Sequence, residues 1–198
     1  MRRHGTHLLL AALIVTMGAA AATADELTES PDGPEHVKTY YTLDQALNEV
    51  FEGADRIWSE RWIPSDDQQA AMETRLGRRL PAEEVVFHRA ERDSRDLGVA
   101  LELAEKGRFR PITFLVHVGP DQKVAKVLLM VYRESRGDGV KRQRFLKQFR
   151  GKSADNRLRL NRDVVAVSGA TMSSRGLTAG VKRALILADT RYGVADRP

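Results

Sequence analysis

Apolar positions recur along this chain with two periods. From Leu43 the spacing is helical: Leu43, Ala46, Leu47, Val50 and Phe51 fall on one face. Thr42 and Gln45 have the spacing of a capping box at its start, and Gly53 stops it. Ser65 and Gln68 repeat the box, which predicts a second helix ending at Gly77, before Pro81. "DRIWSERWI" between them reads as a strand. From Glu84 the pattern changes to short β-branched runs, "EVVFHRA", "LGVALELA", "PITFLVHV" and "KVAKVLLMVY", separated by the turn-rich "ERDSRD", "EKGRFR" and "GPDQ". Connections that short imply antiparallel pairing. "GVKRQRFLKQF" predicts a basic amphipathic helix ended by Gly151, and "DVVAV" a last short strand. A long helix follows from Ser173 to about Tyr192, with Leu177, Val181, Leu185 and Ala188 on one face. The sum is an α+β domain over residues 39–198, with a single antiparallel sheet and helices packed on it.

The N-terminus stands apart from that fold. Arg2 and Arg3 precede the apolar run Leu8–Val15, and Ala22 and Ala24 supply a small-residue cleavage pattern. Residues 1–24 therefore read as a signal peptide, and export places the protein in the periplasm, with inner-membrane association if the segment is retained. Residues 25–38 are acidic, contain Pro and Gly, and read as a disordered leader. The chain has no cysteine, which excludes a disulfide scaffold, an iron–sulfur protein and a thiol enzyme. Its net charge is +5 and its pI about 9.7. Export argues against nucleic acid as the partner, so the basic excess suits anionic cofactors, acidic redox partners or a membrane surface.

The chemistry concentrates in "SGATMSS", Ser168 to Ser174, between the last strand and the long helix. Gly169 and Ala170 remove side-chain bulk. Thr171, Ser173 and Ser174 place hydroxyls at a helix N-terminus, whose first N–H groups and positive dipole end attract a phosphate-sized anion. An ordinary strand-to-helix turn, with Ser173 as N-cap, accounts for the same residues. Other motifs fail. "RGKS" lacks the glycine a phosphate-binding P-loop needs at position 146, which is Leu146. There is no G-x-S-x-G and no H-E-x-x-H, and His88 and His117 lie in strands with no carboxylate pattern around them. Trp58 and Trp62, four apart, read as core.

The same residues resemble the flavinylation motif of FMN-binding domains, found in periplasmic subunits of the sodium-pumping NADH:quinone reductase and the Rnf complex. In that family the threonine closing S/T-G-A-T carries FMN through a phosphoester, which implies Thr171 here, attached by a flavin transferase with FAD as donor. "YRESRGDGV" (residues 132–140) resembles the family's E-T-P-G-L-G loop along the flavin, with Glu134, Gly137 and Gly139 matching and Ser135, Arg136 and Asp138 replacing threonine, proline and leucine. "RFLKQFRGK" resembles the F-x-x-x-F-x-G segment that follows. The family usually has an aspartate, read by the transferase, six residues before the modified threonine; here that position is Val165, and the nearest aspartate is Asp163.

The resemblance implies an FMN-dependent electron carrier rather than a stand-alone enzyme, passing electrons between membrane or periplasmic redox partners. Its cofactor residues would be Thr171, with Ser168, Gly169, Ala170, Ser173 and Ser174 at the phosphate and Glu134, Ser135 and Gly137 beside the ring. Arg133, Arg136 and Arg175 are the candidate cations for a reduced flavin, and Tyr132 stands beside the loop. A non-redox module that binds an anionic small molecule reversibly is the alternative. A flavin reductase ranks last, because the chain has no dinucleotide fingerprint.

Overall fold

The computed structural model describes residues 36–193. The signal-peptide segment and residues 25–35 of the leader lie outside that range. Two helices start where the capping boxes place them: α1 (Leu43–Val50) after Thr42 and α2 (Asp66–Leu76) after Ser65, with both reciprocal hydrogen bonds present in each box. Gly77 closes α2 in the left-handed conformation (φ 66°), which glycine adopts at little cost. The strands are β1 (Lys38–Thr39), β2 (Arg56–Trp62), β3 (Val85–Arg92), β4 (Arg95–Lys106), β5 (Pro111–Val118) and β6 (Val124–Tyr132). They form one six-stranded sheet in the order β1-β6-β5-β4-β3-β2, with every neighbouring pair antiparallel. Lys38, the last residue of the expected leader, is therefore sheet rather than disordered: it pairs with Tyr132.

Both faces of this sheet are covered. On one face α1 packs Ala46, Leu47 and Phe51 against Ala90, Ala100, Leu115 and Leu128. On the other lies the larger core, including Phe87, Leu101, Phe114, Val116 and Leu129. That explains β5, which is buried from Ile112 to Val118 and reads as continuously apolar rather than alternating. The β3–β4 ladder stops at His88↔Ala100, so Val85–Phe87 part from the end of β4.

The larger core is roofed by α3 (Gln143–Leu146) and α4 (Thr171–Tyr192). Along α4, Leu177, Val181, Leu185 and Ala188 are all buried, as their spacing predicts. Burying one such leucine or valine is worth about 1.5–3 kcal/mol. Two glycines let the helix sit close to the sheet. A Cβ on Gly176 would lie 2.4 Å from the Lys106 carbonyl, and one on Gly180 2.2 Å from the Phe114 ring. None of the described helices is long and apolar enough to cross a membrane.

Two expectations need correction. The basic run from Gly139 to Phe149 is not one helix. It is a 3-10 turn (Asp138–Lys141), then α3, then a second 3-10 turn (Lys147–Phe149). Arg142 between the first two is extended (ψ 133°) and interrupts the ladder. "DVVAV" forms no strand either; it makes a single bridge, Leu160↔Val164. Val165 instead pairs with a side chain: its N–H donates to Gln148 Oε1 at 2.8 Å and its carbonyl accepts from Gln148 Nε2 at 3.1 Å.

Candidate functional site

Helix α4 begins at Thr171, two residues before the expected start, and its N-cap is Ala170, which offers no side-chain bond. Its first ladder bond runs from the Ser174 N–H to the Ala170 carbonyl (2.8 Å). The N–H groups of Thr171, Met172 and Ser173 therefore precede the ladder, at the positive end of a 22-residue helix. Ser168, Gly169 and Thr171 are exposed. Gly169 has φ 75°, and a Cβ there would meet nothing within 4 Å. The tip of the turn is open, and the Thr171 hydroxyl stands on it.

The two serines turn inward. Ser174 Oγ accepts the Val167 N–H at 3.1 Å and so closes the turn from inside. Ser173 Oγ lies 2.9 Å from the Tyr132 hydroxyl. Both serines are buried, so they build the turn rather than reach the open side, and Ser173 is not the N-cap.

Tyr132 joins this turn to the loop after β6. It is fully buried. Its hydroxyl donates to the Arg136 carbonyl at 2.6 Å, which leaves the Ser173 hydroxyl as donor to the phenol oxygen. Burial, more than any neighbour, pushes the phenol up to about 12, so it stays a protonated donor through neutral pH. Gly137 is required beside it: its φ is 89°, and a Cβ there would lie 2.6 Å from the phenol oxygen.

Glu134 is also buried. Its Oε1 accepts the N–H groups of Phe109 (2.8 Å) and Arg110 (3.1 Å), and Oε2 lies 3.4 Å from the Tyr132 hydroxyl. It ties the loop to the β4–β5 turn from within and does not face the open surface. Ser135 and Arg136 next to it are exposed.

Of the three candidate cations, Arg136 and Arg175 are exposed near the turn. Arg133 points away from it. Its Nη1 donates to Thr113 Oγ1 at 2.8 Å and to the Pro111 carbonyl at 3.1 Å, because it follows Tyr132 and takes the other side of the chain. Trp62 is core, against Phe87, and Trp58 is half-buried under Arg56 and Arg89. Both lie on the edge strand β2, across the sheet from β6. His88 and His117 bond to Ser59 and to the Leu97 carbonyl, as structural residues do.

Sequence reasoning missed two features of this site. Gly107 lies under Glu134, where a Cβ would be 2.6 Å from Oε1. Tyr40 and Lys38 reach Asp138 Oδ2 at 3.3 and 3.4 Å, and Lys141 reaches it at 3.0 Å. These bonds, led by the one from Lys141, hold the Asp138 carboxyl below its usual range. The glycine of "EKGRFR" was the signal available; nothing local links Tyr40 to a residue almost a hundred positions on.

A phosphate group fits this surface: it needs donors and room, and the first turn of α4 has both. A cavity of about 640 Å³ lies elsewhere, in the split between β3 and β4, against Met72, Leu80, Leu103 and Leu187. None of the candidate cofactor residues lines it.

Comparison with known proteins gives one family and one similar fold. No curated protein matches the chain. Among solved structures, the crystal structure of NqrC from Shewanella oneidensis is similar at 21% identity and a TM-score of 0.43, covering 75% of this chain and 77% of that one. The FMN-binding domain family matches residues 107–186, from the glycine beneath Glu134 into the middle of α4. That span, which holds Tyr132, the glutamate loop and Thr171, is similar to an FMN-binding domain.

Proposed function

We propose that the protein is an exported electron carrier whose FMN is esterified to Thr171. The observation that carries this is the position of the Thr171 hydroxyl, exposed at the first residue of α4 inside the span that matches the FMN-binding domain. Attachment would use FAD. Thr171 Oγ forms the new bond to the FMN phosphorus, the pyrophosphate bond of FAD breaks, AMP leaves, and the hydroxyl proton goes to solvent. The ester keeps one negative charge, which suits the N–H groups of Thr171, Met172 and Ser173.

Flavin bound there supplies one- and two-electron chemistry. The chain's own residues hold and orient it. Ser174 and Ser173 fix the turn, Tyr132 locks the turn to the glutamate loop, and Glu134 anchors that loop to the β4–β5 turn. Arg136 and Arg175 supply positive charge at the open side. The leader segment supports export, and a covalent tether prevents loss of a cofactor made in the cytoplasm.

The test is intact-mass spectrometry of denatured protein from its native host. The expected mass begins at Asp25 and carries one FMN less water, on the peptide that holds Thr171. Thr171→Ala should remove that addition completely. A Thr171→Ala protein that still carries covalent flavin would sink the assignment. Val165, where the family has aspartate, favours a second reading: a non-redox module that binds an anionic small molecule reversibly. A colourless native protein would support it.

A further inference from the structure

The segment that roofs β6 carries a positive excess as large as that of the whole chain. Residues 138–164 contain nine Lys or Arg and three Asp, a net +6 in a chain of net +5. Val140, Phe145, Leu146, Phe149 and Leu158 of the same segment point into the core. Their basic neighbours Arg142, Arg144, Lys147, Arg150 and Arg157 are exposed. Among the described residues, only Lys141 and Arg159 of the nine are ion-paired, with Asp138 and Asp163.

The layer is also firmly seated. Gly151 N–H and the Lys152 carbonyl pair with the backbone of Val124, and Lys182 Nζ donates to the carbonyls of Ala154 and Asn156. Two exposed apolar side chains flank the layer near the α4 turn, Val165 at 71% and Met172 at 42%.

We infer that this face docks on an anionic phospholipid surface. The charge is complementary to such a surface, and the number of cations is what a surface of acidic headgroups requires. The unpaired cations are held in no cross-bonded arrangement that would match fixed carboxylates on a protein. A fluid array of headgroup phosphates needs none. Val165 and Met172 would enter the headgroup boundary, which bare apolar side chains among cations favour. Docking this way turns the face beside Thr171 toward the bilayer. The inference stands whether or not flavin is attached.

The test is co-sedimentation of the full chain with phosphatidylcholine vesicles and with vesicles that also contain a quarter phosphatidylglycerol. Binding should be at least about tenfold tighter to the anionic vesicles at 0.1 M salt, and that preference should vanish at 0.5 M. Reversing Arg144, Lys147, Arg150 and Arg157 to Glu should weaken binding to the anionic vesicles by about a hundredfold or more. The corresponding Gln variant should fall between, and circular dichroism should show both folded. Reversing Arg56, Arg79 and Arg95 should leave the preference in place.

Equal binding to both vesicle types would overturn the inference and assign binding to apolar insertion, and an undiminished preference in the fourfold Glu variant would overturn it and assign binding to cations elsewhere on the chain. Absence of binding to anionic vesicles would also overturn it and leave an acidic protein as the partner of this face.

Discussion

At Tyr132 one hydroxyl holds two segments of chain, the glutamate loop through the Arg136 carbonyl and α4 through Ser173. Tyr132→Phe strands a buried serine hydroxyl and frees the loop. It should cost about 1–3 kcal/mol, read as a fall of several degrees in thermal unfolding by circular dichroism. The Val165 position is a different kind of residue, exposed and touching little through its side chain. Val165→Asp should leave stability unchanged within about 0.5 kcal/mol. If the flavin transferase reads a carboxylate there, the same variant raises the fraction of chains carrying covalent FMN, measured by mass after co-expression with the transferase. An unchanged fraction means that residue 165 is not what the enzyme reads. At this scale the motifs pointed to Thr171 and Gly137, which the structure places at the first residue of α4 and in the positive-φ turn beside Tyr132. It did not show that Ser173, Ser174 and Glu134 turn inward, because their partners come from β6 and the β4–β5 turn.

Helix α4 is the element that aims the site, and its aim depends on closeness to the sheet. Gly180→Ala puts a methyl group 2.2 Å from the Phe114 ring, so either the helix or the ring must shift. The expected cost is about 1–3 kcal/mol, from overpacking that outweighs the gain in helix propensity. Thermal unfolding measures it; an unchanged or raised transition temperature would mean that the helix is free to move outward. The helices with capping boxes and the strands between turn signals were legible because those signals are local. The basic run and "DVVAV" were not. Arg142 breaks the one for reasons no neighbour announces. The other is β-branched, but among the described residues it pairs with no strand, and composition cannot report a missing partner.

For the whole molecule, the two buried histidines set an acid limit. Burial is the leading cause that holds the imidazoles of His88 and His117 below their usual range. The unfolded chain binds those protons near pH 6.5, the folded chain only at lower pH. Stability is therefore full above about pH 6.5 and declines as the pH falls from there. Unfolding temperature measured from pH 8 to pH 5 should drop below that point, and His117→Gln should flatten part of the drop. The covalent step proposed for Thr171 raises a question of timing that the Gln148 amide bears on. Just upstream of the turn, Val165 is held to the body of the protein by two hydrogen bonds from one side chain rather than by a ladder. Val164 before it is buried in the core and the Val167 N–H after it bonds Ser174 Oγ, so the exposed residues Ser168, Gly169 and Thr171 are on offer while the sheet stays closed. Folding can come first, and the finished protein can then lend its own surface peptide to a modifying enzyme, as the substrate of a kinase does.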